Sequence, residues 1–231
     1  MAIESPKNLV PKFFNKTATT YDKVVVWATF GKDRYWKKEI LKQIPKGDSF
    51  LDLACGTGIL TRNIADMFPN AKITGVDITE SYLDVAKENS KQYKNISYLQ
   101  QDAEQLNLDM EFDCIASSYI PKYCNPETLL KACINHLKPG GKIIFHDFTY
   151  PKNRLVGKLW DVYFVLLYFV GFFVPSWKDA FVDLPKLIRS STWLSDYTRV
   201  MKDDGLDVQQ KLLTLNSSAL LIGIKKSGKK S

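Results

Sequence analysis

The sequence predicts an α/β protein: a doubly wound, mostly parallel open sheet with a helical N-terminal extension and a hydrophobic helical cap inserted before the last two strands. Three observations predict it. Between residues 49 and 148, short apolar runs alternate with helical stretches, the pattern of strands joined by crossover helices. A glycine-rich turn, Gly56-Thr57-Gly58, falls where the first strand gives way to the first helix of that series. The chain then closes on two strand candidates, VQQKLLTL and ALLIGIKK, joined by Asn216-Ser217-Ser218, a link so short that it favours an antiparallel pair at the sheet edge.

Taken in order, residues 1–48 read as a helical extension, because Phe13, Phe14, Tyr21, Trp27, Phe30, Tyr35, Trp36, Ile40 and Leu41 recur at near-helical spacing before Pro45 and Gly47. Residues 49–150 form the core. SFLDLA is its first strand, 59–67 a helix ending before Phe68-Pro69-Asn70, KITGVDI the second strand, and 81–91 the next helix. ISYLQQD, FDCIASSY and KIIFHDF supply three more strands, with a helix over 126–136 that stops at Lys138-Pro139-Gly140-Gly141. Residues 151–205 break the rhythm and read as an inserted cap over the carboxyl ends of the strands, with a helix over 192–202. Residues 206–225 carry the final strands, and 226–231 a flexible basic tail.

The 231 residues are 45% hydrophobic and 25% charged, which excludes wholesale disorder and a disulfide scaffold. Of the formal charge of +7, four units lie on Lys225, Lys226, Lys229 and Lys230, leaving +3 for the body, too little to suggest a nucleic-acid partner. The four cysteines are scattered, with no CxxC pair and no histidine at metal spacing, so no metal is expected and the thiols read as reduced. With no apolar h-region near the N-terminus, the expected location is the cytoplasm.

The chemistry concentrates at strand ends. Leu51-Asp52-Leu53-Ala54-Cys55-Gly56-Thr57-Gly58 places glycines where a ligand can approach the backbone, next to the free amides of a helix N-terminus. Asp77 ends the second strand 19 residues after Gly58, where a carboxylate can accept both hydroxyls of a ribose, and Ile78 follows it. The third strand ends in Asp102-Ala103, suited to an adenine amine, and Ser118 ends the fourth. A dinucleotide turn wants a third glycine, but the series here runs Gly56-x-Gly58-x-x-Thr61. An acidic Asp52 is unfavourable beside a pyrophosphate and favourable beside an ammonium and a sulfonium.

In this order and spacing, LDLACGTG, GVDITESYL, QDAEQLNL, FDCIASSY and HLKPGGKIIF resemble the motif series of class I S-adenosylmethionine-dependent methyltransferases. The resemblance implies a seven-stranded Rossmann-like methyltransferase fold with an antiparallel last strand, and S-adenosylmethionine as cofactor, leaving as S-adenosylhomocysteine. Nearly the whole chain is further similar to the ubiquinone/menaquinone biosynthesis C-methyltransferases: Phe14, Tyr21-Asp22, Phe30-Gly31, Arg34 and Trp36-Lys37 match their N-terminal pattern, and Leu213-Thr214 with Ala219-Leu220 their ending. That family implies a prenylated quinol or naphthoquinol methylated on ring carbon, with Thr57, Asp77, Asp102-Ala103 and Ser118 as cofactor contacts. Two departures bear on the acceptor. The family's Phe-Gly-Leu/Ile-Arg-Asn segment is Tyr119-Ile120-Pro121-Lys122-Tyr123 here, and Lys does not reproduce the planar fork of Arg. The family's Asn after Tyr-Asp is Val25, and its late His is Leu221.

Carbon methylation of a phenolic ring calls for a general base. The candidates are Asp147 and His146 after the fifth strand, Lys122 after the fourth, and Tyr21 with Asp22 in the extension. Strand alternation puts His146 and Asp147 on opposite faces, so at most one of them faces a cleft. The aromatic run VYFVLLYFVGFFV, within residues 155–177, has three readings: a buried cap helix, the wall of a tunnel for an apolar chain, or a peripheral membrane contact flanked by Lys152, Arg154, Lys158 and Lys178 with Trp160 and Trp177 at the boundary. The acceptor is accordingly expected to be a lipophilic small molecule. O- or N-methylation of another hydrophobic acceptor, and a non-catalytic binding module, are the alternatives.

Overall fold

The computed structural model describes residues 6–227; residues 228–231, the end of the expected basic tail, lie outside the described residues. Seven strands form one sheet: β1 (Ser49–Leu53), β2 (Lys72–Asp77), β3 (Ile96–Gln100), β4 (Phe112–Ser118), β5 (Leu137–Phe148), β6 (Asp207–Leu213) and β7 (Ser218–Ile224). Their order is β3-β2-β1-β4-β5-β7-β6, with β7 antiparallel to both its neighbours and the other pairings parallel. The strand order reverses between β1 and β4, the switch point where sheets of this kind bind ligands.

Local sequence explains the elements. SFLDL is buried at every position, as expected of a central parallel strand covered on both faces, whereas edge strand β6 keeps Gln209, Gln210 and Lys211 in solvent. Helices α4 (Ile59–Met67), α5 (Glu80–Asn89) and α6 (Pro126–Asn135) cross between strands; at the start of α6 the Asn125 side chain accepts from the Thr128 amide and Pro126 occupies the first turn. β5 begins at Leu137, so the Pro139-Gly140-Gly141 stretch expected only to stop a helix is already strand.

The extension folds as α1 (Leu9–Phe14), α2 (Tyr21–Ala28) and α3 (Lys32–Leu41), and the cap as α7 (Arg154–Val170), α8 (Lys178–Ser190) and α9 (Trp193–Asp203). Alternation along β1 sends Leu51 and Leu53 to one core with Phe112, Ile115, Tyr197 and Met201, and Phe50 to the other with Trp36, Ile40, Ile64 and Ile144. A third cluster, Phe13, Tyr123, Leu167, Trp177, Ala180 and Phe181, joins extension to cap.

The aromatic run does not become an all-round buried helix. Of α7 only Gly157, Trp160 and Leu167 are buried, while Leu155, Leu159, Val162, Leu166, Phe169 and Phe173 recur every three or four residues on an exposed stripe, Phe173 at 86%. Trp160 and Trp177, expected at a boundary, point inward. Among the described residues, no helix is long and apolar enough to cross a membrane.

Candidate active site

The carboxyl ends of β1, β2, β3 and β4 meet the extension around a cleft of about 690 Å³. Its floor is the Ala54–Gly56 turn, its polar end Asp77 and Asp102, and its roof residues from α1 and α2, among them Phe14 and Tyr21. Residues 155–177 contribute nothing to the lining, so the tunnel-wall reading is corrected: the roof is the extension, while the cap packs behind it.

The glycine turn is built as the sequence requires. Gly56 and Gly58 adopt φ of 55° and 77°, and a Cβ on Gly58 would lie 2.3 Å from the Tyr98 hydroxyl. Gly56 exposes its backbone to the cleft; Gly58 lies outside the lining and serves the packing of α4 on β3. The Asp77 carboxylate is fixed by amides donated from Gly56 and Thr79, both at 2.8 Å, and burial raises its pKa. Ile78 is half exposed at the mouth. Asp102 caps the next turn, accepting from the Glu104 amide at 3.0 Å, and its carboxylate pairs with Lys7 of the extension; Ala103 lies beside it in the wall.

A small inner lobe continues the cleft behind the turn, lined by Asp52, Cys55, Gly56, Thr57, Ser118 and, from α3, Lys37. Asp52 is 1% exposed, accepts from the Thr61 hydroxyl at 2.6 Å, and is pushed up to about 7 by burial. The Cys55 thiol is likewise pushed up by burial. Thr57 donates its hydroxyl to Asp22 of α2, a second tie between extension and turn.

The three residues expected to be catalytic lie beneath this floor. His146, Asp147 and Lys122 are each 5% exposed or less, and none of them lines either cavity. The expected alternation holds, with His146 against Trp36 and Asp147 against Lys122, but neither side chain enters the cleft. Asp147 accepts from the Lys122 ammonium at 2.8 Å and from the amides of Lys122 and Phe148; burial raises the carboxyl and lowers the amine. His146 reaches the cleft through Nδ1 and the Ser118 hydroxyl at 3.0 Å, with Nε2 on Ser218 at 2.6 Å, and Lys122 reaches it through the Tyr119 carbonyl at 2.7 Å. Burial holds its pKa well below 6.5, so the imidazole is neutral. Among the described residues, no group of three or more His, Cys, Asp or Glu could hold a metal ion.

Sequence reasoning placed Tyr82, Lys7 and Lys37 at no site, and all three line the cavities. Tyr21 lines both cavities, its phenol pushed up by burial, and Phe14, Tyr21, Tyr82 and Tyr123 meet edge-on at centroid distances of 5.3–6.3 Å.

The model of the ubiE/COQ5 methyltransferase family matches residues 2–225. The chain belongs to that family. It is an S-adenosylmethionine-dependent methyltransferase. It is 33% identical to the ubiquinone/menaquinone biosynthesis C-methyltransferase UbiE of Francisella tularensis subsp. novicida over 96% of this chain and 93% of the relative. To the protein of that name from Pseudomonas syringae pv. tomato it is 30% identical over 94% and 88%. Among solved structures, a Haloferax volcanii methyltransferase, in complex with its Trm112 activator, superposes with a TM-score of 0.67 at 18% identity, over 92% of this chain and 97% of that one. The Haemonchus contortus phosphoethanolamine N-methyltransferase 2, in complex with S-adenosylmethionine, gives 0.66 at 16% identity over 97% and 61%.

The cleft fits that donor. Asp77 presents a fixed carboxylate at the end of β2, Gly56 bares its backbone, Ala103 offers an apolar wall, and Asp52 faces Lys37 in the inner lobe.

Proposed function

We propose that the protein methylates a ring carbon of a prenylated quinol or naphthoquinol. The aromatic box of Phe14, Tyr21, Tyr82 and Tyr123 at one end of the donor cleft carries this reading, since it offers a planar acceptor ring faces and edges of its own kind. S-adenosylmethionine supplies an electrophilic methyl group, so the protein's share is alignment of the carbon nucleophile and removal of a hydroxyl proton.

When the donor is bound, Asp77 would hold the ribose hydroxyls, Asp102 and Ala103 the adenine, and the Gly56–Thr57 backbone the chain that bears the sulfur. Ser118 accepts the ring hydroxyl's proton as it passes its own to the neutral His146 Nδ1, whose Nε2 is anchored on Ser218; once the carbon has taken the methyl group it loses its own hydrogen as a proton, and the oxygen recovers one by the same route as the ring becomes aromatic again. Lys122 and Asp147 act as positioning residues under the floor. His146→Gln is expected to lower kcat at least about tenfold with the Kd of S-adenosylhomocysteine unchanged; an unchanged kcat removes the relay.

The exposed stripe of α7, with Lys152, Arg154, Lys158 and Lys178 exposed at its margins, is read as the face that meets an anionic bilayer in which the prenyl chain dwells. Pelleting with anionic but not neutral liposomes at low salt supports this; no pelleting removes it. Transfer of a labelled methyl group from S-adenosylmethionine into a quinol extract tests the reaction. A carbon-methylated quinol is expected, and an O- or N-methylated product overturns the assignment.

A further inference from the structure

A further cavity, of about 240 Å³, opens where the loop after β5 enters α7, lined among others by Tyr150, Lys152, Asn153, Arg154, Gly157 and Lys158. Three of its residues are cations and none is an acid. All three are exposed, and among the described residues their side chains make no ion pair or hydrogen bond. Asp161, the next acid along the helix, is already bound by Arg189 and by the Tyr150 hydroxyl. Arg154 and Lys158 stand one turn apart, a spacing at which like charges weaken a helix, and nothing lining the cavity offsets that cost. The Asn153 carboxamide turns its oxygen to the amides of Leu155 and Val156, at 3.0 and 3.2 Å. Those helix amides are therefore spent, while the two N–H groups of Asn153 have no partner among the described residues. Gly157 keeps the wall clear, since a Cβ there would lie 3.1 Å from the Tyr150 hydroxyl. Three unpaired cations and an amide donor around one small space are the complement of a phosphate.

We infer that this cavity binds the phosphate of an anionic phospholipid headgroup, with Arg154 offering two parallel N–H donors and Lys152 and Lys158 the flanking charges. Continuity with the α7 stripe points to a lipid as the source of the phosphate. Leu155 and Leu159 directly follow Arg154 and Lys158 in the chain, and Val162, Leu166 and Phe169 carry the same exposed apolar face along the helix. A phosphate in the cavity therefore lies beside the face that enters the acyl region, as headgroup and chain lie in a phospholipid. The inference rests on the bilayer reading of that stripe given above and adds to it a defined headgroup contact, which makes the amino end of α7 the fixed point of the docked protein. Lys178, near the other end, sits 5.3 Å from the centre of the Phe172 ring and does not line this cavity.

The test measures partitioning of the full chain onto phosphatidylcholine vesicles that contain phosphatidylglycerol. Lys152→Gln/Arg154→Gln/Lys158→Gln is compared with a control of equal charge loss, Lys94→Gln/Lys131→Gln/Lys202→Gln, whose residues are exposed elsewhere and join no ion pair among the described residues. The cavity variant is expected to lose about thirtyfold or more in partitioning, at roughly fivefold per cation, and the control less than about threefold. Equal loss in the two variants assigns the effect to net charge and overturns the cavity. Wild-type binding that the cavity variant retains in full also overturns the cavity and leaves the bilayer reading standing, whereas no binding by the wild-type protein removes that reading and the inference with it. Calorimetry then separates the sources of phosphate. Monomeric dihexanoylphosphatidylglycerol is expected to bind the wild-type protein about tenfold or more tightly than inorganic phosphate, because its chains meet Leu155 and Leu159. Equal affinity for the two would make the cavity a site for free phosphate and overturn the lipid assignment.

Discussion

If the donor's ammonium sits beside Asp52, as the charge of that residue suggests, donor binding is a proton-linked event. Its carboxyl sits at about 7 because burial outweighs the Thr61 hydroxyl and the Lys37 charge, and the nearby Asp77 carboxylate pushes in the same direction as burial. A group titrating at 7 is about one-eleventh ionised at pH 6 and about ten-elevenths at pH 8. An ammonium binds the ionised form, so the affinity for S-adenosylhomocysteine is expected to rise about tenfold between pH 6 and pH 8. Binding at pH 6 should release close to one proton, falling to about a tenth of a proton at pH 8. Calorimetry in two buffers of different ionisation enthalpy reads both quantities. The other groups facing Asp52 are separable. Asp77 would bind the ribose of S-adenosylhomocysteine and equally that of 5′-methylthioadenosine, which lacks the amino-acid end, so its titration appears with both and can be subtracted. Burial raises the Cys55 thiol out of the range, and His146 stays neutral across it. Asp52→Asn is expected to flatten the profile; the wild-type slope surviving in that variant, or appearing equally with 5′-methylthioadenosine, would refute the reasoning.

Two further outcomes follow from packing. Removing one member of the Lys122–Asp147 pair, as in Asp147→Leu, leaves a buried ammonium without its partner and should lower unfolding free energy by about 3–5 kcal/mol in urea titration, whereas Lys122→Met/Asp147→Leu should recover most of the loss; additive effects would show that the two are uncoupled. Gly58→Ala forces a methyl group onto the Tyr98 hydroxyl at a φ of 77° and should cost about 2–4 kcal/mol, with Tyr98→Phe restoring part of it in the same background; a loss under about 1 kcal/mol would mean the turn relaxes freely.

What the sequence made legible was local. The strand-turn-helix of residues 49–67 could be read because an apolar run, two glycines at positive φ and a helix all fall within 19 residues. Helix limits expected at 81–91 and 192–202 are observed at Glu80–Asn89 and Trp193–Asp203, shifts within the fraying of helix ends. The depth of polar side chains was not legible. His146 and Asp147 read as cleft residues because they end a strand, but their partners are 72 and 25 residues away, at Ser218 and Lys122. The facing of α7 was hidden for a related reason. The apolar run carries no periodic signal, so the docking of Trp160, Tyr163, Phe164 and Leu167 decides which stripe stays outside.

The buried polar residues become intelligible once Tyr119 is considered. It follows β4 at a φ of 78°, a conformation that costs a bulky residue roughly 1–3 kcal/mol and persists only where its surroundings over-determine it. Every polar group of Tyr119 is held by one of these elements. Its amide donates to the His146 carbonyl at 2.7 Å, its carbonyl accepts from Lys122 at 2.7 Å, and its hydroxyl donates to Asp33 at 2.8 Å, while its ring stacks on Phe148. Tyr119 lines both the main cleft and the inner lobe. Lys122 in turn is held by Asp147, and Asp33 by Lys37. Two buried ion pairs from opposite faces of the sheet therefore converge on one strained residue at the switch point. That convergence explains why charges so far from solvent are kept: Lys122, held by Asp147, and Asp33, held by Lys37, fix Tyr119 in the wall of the cleft.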